Sequence, residues 1–102
     1  MARYLVVQLT VLLSFFSIPV SALDLVKGES LYQIHCSGCH GEKGVSPNPE
    51  VPNFARGEQL FQADSDLINV VRDGKNSMPA FLGILQDREI LDVISYARTL
   101  QW

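Results

Sequence analysis

Basic residues are scarce in this sequence: 8 Lys and Arg stand against 11 Asp and Glu in 102 residues. A nucleic-acid-binding protein is therefore excluded, because a phosphate backbone demands a basic protein face. Long polar tracts are also missing, which excludes a disordered chain. The short length permits one small domain and excludes a multidomain enzyme with its own nucleotide-binding fold.

Charge is almost absent from the first 22 residues, which carry 15 hydrophobic residues and a single charge, Arg3. The apolar run over 5–18 ends at Pro19, and Val20-Ser21-Ala22 offers the small residues of a cleavage site. These features predict a cleavable secretory signal peptide over 1–22 and an exported, periplasmic domain over 23–102. The alternative is an uncleaved membrane anchor, but the run is shorter than the ~20 apolar residues that a membrane span needs. We therefore expect no stable membrane anchor after cleavage.

No stretch of the chain alternates between apolar and polar residues with a period of two, so strands are not expected and the fold class is all-α. The predicted helices are Asp24 to His35, Leu67 to Arg72 after the N-cap cluster Asp64-Ser65-Asp66, and a last helix that Asp87 caps. Stretches 41–53 and 76–83 are predicted loops. The 80 residues after the signal form a thin core, and a chain of this size usually needs disulfides, a metal or a cofactor for stability.

Both cysteines and one of the two histidines lie in Cys36-Ser37-Gly38-Cys39-His40. The spacing C-x-x-C-H is typical of covalent c-type haem attachment. Residues three and four apart share one face of a helical turn, so the thiols of Cys36 and Cys39 can reach the two vinyl groups along one haem edge. His40 then turns its ring towards the iron. The motif predicts one covalently attached haem c with His40 as an axial ligand of the iron.

Three other uses of the two cysteines compete with this interpretation. A thioredoxin-like redox pair needs a βαβ context, for which the chain has no strands. A zinc site needs four ligands, and the adjacent pairs His35-Cys36 and Cys39-His40 cannot easily surround one metal. A structural Cys36–Cys39 disulfide closes too small a loop to stabilise the fold much. Haem attachment is the interpretation that we favour.

Methionine is scarce too, because Met78 is the only one left once the initiator is removed with the signal. A lone methionine is usually a core filler. Met78, however, lies in a predicted loop before Pro79, whose fixed backbone can hold a thioether still against a metal. We predict Met78 as the second axial ligand, and His35 as a rim residue that points away from the iron axis.

Together these residues resemble a class I cytochrome c over 23–102. The resemblance implies three to five short helices wrapped around one covalently bound haem. It also implies that the first helix crosses the last at Gly28, which Tyr96 covers. In Pro52-Asn53-Phe54, it further implies that the Pro52 carbonyl accepts a hydrogen bond from His40, which fixes the imidazole ring.

The stretch 73–81 is similar to the loop of photosynthetic cytochromes that replace plastocyanin. The resemblance implies a one-electron carrier rather than an enzyme, since two axial ligands saturate the iron. Asn53 and Asn76 are candidates to bond a haem propionate or the methionine sulfur. The candidates to line the haem pocket are Leu60, Phe61, Leu67, Val71, Phe81, Leu85 and Leu91.

The implied partners are redox proteins, namely membrane electron-transfer complexes or periplasmic oxidoreductases, and the carrier itself is expected to be a monomer. One alternative is a cytochrome subunit bound permanently to a periplasmic oxidoreductase. Another is a haem-based gas or redox sensor in which Met78 is labile.

Overall fold

The computed structural model describes Ser14 and residues 23–102, so the predicted signal peptide lies almost wholly outside the described residues. The elements in chain order are α1 (Leu25–His35), α2 (Ser37–His40), a 3₁₀ turn (Phe54–Arg56), α3 (Asp64–Asp73) and α4 (Asp87–Arg98). Within 23–102 there is no strand, and one isolated β-bridge joins Lys75 to Met78. The predicted all-α class is confirmed. In the described part of the chain, no helix has the length and apolar character needed to cross a membrane.

Helices α1 and α4 cross at close range. Asp24 caps α1, and its side chain accepts a hydrogen bond of 2.9 Å from the Lys27 backbone N–H. At the crossing, a Cβ placed on Gly28 would lie 2.2 Å from the Asp92 carbonyl oxygen and 3.2 Å from the Tyr96 Cβ. The predicted crossing at Gly28 is confirmed, but the closest group to it is the α4 backbone at Asp92 rather than the Tyr96 ring.

The starts of α3 and α4 differ from the predicted ones. Helix α3 begins three residues earlier, at Asp64, because Ala63 has the extended backbone of an N-cap. The carboxylates of Asp64 and Asp66 therefore lie in the first turn, where the helix dipole favours negative charge. The predicted cap at Asp87 is wrong as well, because Gln86 is the N-cap of α4. The Gln86 backbone N–H donates a 3.1 Å hydrogen bond to the Glu89 carboxylate, and the Gln86 side chain accepts one from the Glu89 backbone N–H. This reciprocal capping box satisfies two N–H groups that a helix start otherwise leaves unpaired.

Two groups of buried side chains form the core, and α4 contributes to both. The first group is Leu67, Phe81, Leu85, Ile90 and Ile94. The second is Tyr32, Leu60, Val93 and Ala97. Of the predicted pocket-lining residues, Phe61 has a side chain that is 87% exposed, on the turn that leads into α3. Leu60, which was also predicted to line the pocket, is buried in the second group.

Candidate haem-binding site

The two cysteines lie on one helical turn, where α1 ends and α2 begins. Cys36 joins the two helices: its N–H donates to the Tyr32 carbonyl over 2.8 Å, and its own carbonyl accepts from the N–H of His40 over 3.0 Å. Both thiols are free, with Cys36 half-buried and Cys39 exposed. Burial, with a smaller contribution from Cys39, raises the pKa of the Cys36 thiol to about 11. Cys36 is therefore a protonated thiol at neutral pH.

The imidazole of His40 is buried and held on two sides. Its Nδ1 lies 3.0 Å from the Pro52 carbonyl oxygen, and its ring stacks on Phe54 with centroids 4.2 Å apart and planes 12° apart. A carbonyl only accepts hydrogen bonds, so Nδ1 carries the proton and Nε2 has a free lone pair. Burial lowers the His40 pKa, and the hydrogen bond to Pro52 offsets part of this effect. A neutral imidazole with a bonded Nδ1–H is the form in which histidine binds a metal.

Tyr32 fixes the chain directly after His40, through a contact that the sequence does not predict. Its side chain is fully buried, and its hydroxyl donates a 2.7 Å hydrogen bond to the Gly41 carbonyl. Gly41 has a φ of 88°, and a Cβ there would lie 2.0 Å from the Val45 carbonyl oxygen. A buried tyrosine hydroxyl usually finds a hydrogen-bond partner, so a tyrosine at an apolar position of a predicted helix is the signal that could have pointed to this contact.

Met78 lies on a different segment, directly after α3. Its backbone pairs with that of Lys75: the Lys75 N–H donates to the Met78 carbonyl over 3.1 Å, and the Met78 N–H donates to the Lys75 carbonyl over 2.9 Å. The side chain of Met78 is half-buried and packs against the first core group. Asn76 in the same turn is exposed, and within the described residues its amide makes no hydrogen bond. The thioether is thus held by the loop backbone and by apolar packing.

The remaining predicted site residues, Asn53, Phe81 and His35, lie in different surroundings. Asn53 has a buried Oδ1 without a hydrogen-bond partner in the described part of the chain, and its backbone N–H donates to Glu58 over 2.8 Å. Phe81 is 6% exposed, in the first core group. His35 is half-buried and meets the Phe81 ring edge-on, with centroids 5.6 Å apart. His35 therefore packs against the segment that follows Met78.

These donors fit a covalently held haem c better than the other uses of the cysteines. Two free thiols share a helical turn with a buried neutral imidazole, a soft thioether lies on a second element, and the orphaned Asn53 oxygen marks a polar contact left unmade. Within 23–102, no strand provides a thioredoxin-like context, and no group of three His, Cys, Asp or Glu residues lies close enough to hold a metal ion.

Comparison with known proteins agrees with this fit. Residues 24–96 match the family described as cytochrome C oxidase, cbb3-type, subunit III. Cytochrome c6 of Gracilaria tenuistipitata var. liui is 36% identical over 77 residues, covering 74% of this chain and 71% of the relative. Cytochrome c6 of Thermostichus vulcanus is 33% identical over 98 residues, which cover 92% of this chain and 88% of the relative.

A solved structure is similar as well. The structure of cytochrome c6 from the diatom Phaeodactylum tricornutum matches with a TM-score of 0.60 and 30% identity. The match covers 74% of this chain and 92% of the diatom protein. The fold, the matched family and these relatives agree with the resemblance seen in the sequence. The chain belongs to the class I cytochromes c, electron carriers rather than enzymes, with one covalently attached haem c.

Proposed function

We propose that this cytochrome is exported to the periplasm and carries one electron at a time between redox partners, with His40 and Met78 as the axial ligands of its iron. Cys36 and Cys39 are the attachment points of the haem. The observation that carries the proposal is the buried His40 imidazole, bonded through Nδ1 to Pro52, on the same helical turn as two free thiols.

Each of these residues has a definite task in electron transfer. The bound haem supplies the Fe²⁺/Fe³⁺ couple. The Pro52 carbonyl and the Phe54 ring keep the His40 imidazole in one orientation, and the Nδ1 hydrogen bond strengthens its donation to a metal. The Met78 thioether is a soft ligand that favours the ferrous form and raises the potential. Since both ligands are held by the fold, little rearrangement accompanies each electron.

Location and partners follow from the whole sequence. The predicted signal peptide over 1–22 supports export, and the chain carries more acidic than basic residues. The proposed partners are membrane electron-transfer complexes or periplasmic oxidoreductases that meet the monomeric carrier through basic residues. Such encounters are short-lived and weaken as salt concentration rises.

A second candidate is a cytochrome subunit of one oxidoreductase. The matched family, which is described as an oxidase subunit, favours it. Leu82 and Ile84, which follow Met78 and are 72% and 60% exposed, favour it as well. The match over 88% of the length of the cytochrome c6 of Thermostichus vulcanus favours the free carrier. Gel filtration of the protein from its native membranes and periplasm separates the two: a carrier elutes alone, and a subunit elutes with its enzyme.

Replacement of Met78 tests the proposed ligation. A ferric haem with sulfur on iron has a weak charge-transfer band at the red end of the visible spectrum. Met78→Ala is expected to abolish this band, lower the reduction potential and let the ferrous protein bind carbon monoxide. Met78→His should restore six-coordination with a potential below that of the wild type, because imidazole stabilises ferric iron better than a thioether does.

Two controls accompany this experiment. Leu82→Ala changes an exposed side chain of the following segment, and His35→Ala removes a ring that packs on Phe81. Both variants should keep the charge-transfer band. Rapid carbon monoxide binding by the wild-type ferrous protein at neutral pH would mean an open or labile sixth position, and ligand sensing would replace electron carriage.

A further inference from the structure

Met78 is the last residue of a tight turn that its own backbone closes. The reciprocal hydrogen bonds between Lys75 and Met78 leave Asn76 and Ser77 as the two residues at the tip. Asn76 has a φ of 54°, in the left-handed region. Asparagine tolerates this region better than other residues with a side chain.

The turn starts directly at the end of α3, at a glycine that leaves no room for a side chain. Gly74 has a φ of 77°, and a Cβ there would lie 2.7 Å from the Met78 carbonyl oxygen and 2.9 Å from the Ala80 nitrogen. Its N–H also closes α3 by donating to the Val70 carbonyl over 2.8 Å. The turn is therefore packed against the helix terminus from which it emerges.

The segment after Met78 returns to the same helix end. The N–H groups of Phe81 and Leu82 donate to the carbonyls of Val71 and Arg72, each over 3.1 Å. These are carbonyls of the last turn of α3, which a helix leaves without internal partners. Since both ends of the segment are attached to α3, the conformation at the tip determines where the Met78 side chain points.

We propose that Asn76 is a positioning residue for Met78, and that it acts through its left-handed backbone rather than through its amide. The inference rests on the proposed function, because it takes Met78 as an axial ligand. A residue that resists a positive φ strains the turn while it is closed. The strain disappears when the turn opens and the thioether leaves the iron, so such a substitution weakens the ligation by Met78.

Three substitutions at Asn76 test the proposal through the affinity of the ferric protein for cyanide, which competes with Met78. Asn76→Gly should keep both the charge-transfer band and the wild-type cyanide affinity, since glycine accepts a positive φ without strain. Asn76→Val should weaken the band and raise the apparent cyanide affinity by about tenfold, because a β-branched residue resists a positive φ far more than asparagine does. Asn76→Ala, which perturbs folding less than Asn76→Val, should change the band and the cyanide affinity in the same directions.

Gln59 provides a matched control, because it is also exposed and has a φ of 65° in a different turn. Gln59→Val should lower the melting temperature and leave the cyanide affinity at the wild-type value. Equal cyanide affinities in Asn76→Val, Asn76→Ala and the wild type would overturn the proposal. An Asn76→Gly protein that binds cyanide as tightly as Asn76→Val would also overturn it, since the amide would then be the group that acts on Met78. A Gln59→Val protein with the same rise in cyanide affinity would overturn it too.

Failure of the proposed ligation would look different. In that case, the wild-type ferric protein would lack the charge-transfer band, and Met78→Ala would not alter its cyanide affinity. With the band present and abolished in Met78→Ala, the Asn76 series tests the turn alone.

Discussion

The Tyr32 hydroxyl offers a test at the scale of single residues, because it reaches the chain directly after His40. Burial is the main cause of its raised pKa, so the hydroxyl remains protonated and donates to the Gly41 carbonyl. That carbonyl keeps a second donor, the Gly44 N–H at 3.1 Å. Tyr32→Phe is therefore expected to cost an ordinary hydrogen bond, about 0.5–1.5 kcal/mol of unfolding free energy. Denaturant titration of the haem-loaded variant measures this loss.

Tyr96→Phe is the matched control for this prediction. The Tyr96 ring packs edge-on against Tyr32 with centroids 5.3 Å apart, and its hydroxyl makes no hydrogen bond in the described part of the chain. Its removal should leave the unfolding free energy near the wild-type value. An equal loss in both variants would show that the Tyr32–Gly41 hydrogen bond contributes nothing of its own.

The site chemistry at this scale was only partly predictable. The spacing of Cys36, Cys39 and His40 determines that they share a helical turn, and this is a local property. The stack of His40 on Phe54 joins two residues from separate segments. No local pattern carries such a contact, because it depends on how the loop between the two residues folds back.

At the scale of elements, the close crossing of α1 and α4 reverses the usual effect of a glycine-to-alanine substitution on helix stability. In an exposed helix, alanine is more stable than glycine by about 1 kcal/mol. At Gly28 the added methyl group would lie 2.2 Å from the Asp92 carbonyl oxygen, so the helices must move apart. Gly28→Ala is expected to lower the unfolding free energy by about 1–3 kcal/mol, the usual cost of overpacking, measured by thermal unfolding of the haem-loaded protein.

Ser30→Ala, at an exposed position of the same helix, is the control for Gly28→Ala. Its stability should stay within about 0.5 kcal/mol of the wild type. A Gly28→Ala protein that unfolds at the wild-type temperature would contradict the close approach of the two helices.

Helix positions were predictable where the apolar pattern is strong, and helix ends were not. The buried stripe of α4 contains Ile90, Val93, Ile94 and Ala97, as the spacing predicts. The cap of the same helix is Gln86 rather than Asp87. Several polar residues stand before such a stripe, and the backbone dihedrals, which tertiary contacts help to select, decide which of them becomes the cap.

At the scale of the whole molecule, the start of the domain is anchored to its last helix. The backbone N–H of Asp24 donates a 3.0 Å hydrogen bond to the carboxylate of Asp92, whose side chain is almost fully buried. This anchor lies just after the predicted cleavage site at Ala22, so removal of the signal peptide would leave it in place.

Export and attachment of the haem are tested together by mass spectrometry. Protein purified from the periplasmic fraction and denatured in acid is expected to retain one haem on a chain that begins near Leu23. Cys36→Ala should weaken attachment without necessarily abolishing it, because Cys39 can still form one thioether. A mass without haem after acid-acetone extraction would contradict covalent attachment, and a mass that includes Met1 would contradict cleavage.

The sequence by itself predicted the helical class of this protein and its covalently attached haem, and both predictions are confirmed. The C-x-x-C-H spacing and the apolar stripe of α4 are local patterns, because each depends on residues a few positions apart. Local spacing is sufficient for them because one helical turn already brings the reacting groups to the same face.

Tertiary structure alone decided which side chains hold those groups in place. It buried Leu60 and exposed Phe61, paired Tyr32 with Gly41, and closed the Met78 turn with Asn76 in a left-handed conformation. The physical reason is that each outcome depends on the fold around it: the other end of a contact lies on a separate segment, or the turn is fixed at both ends by the same helix.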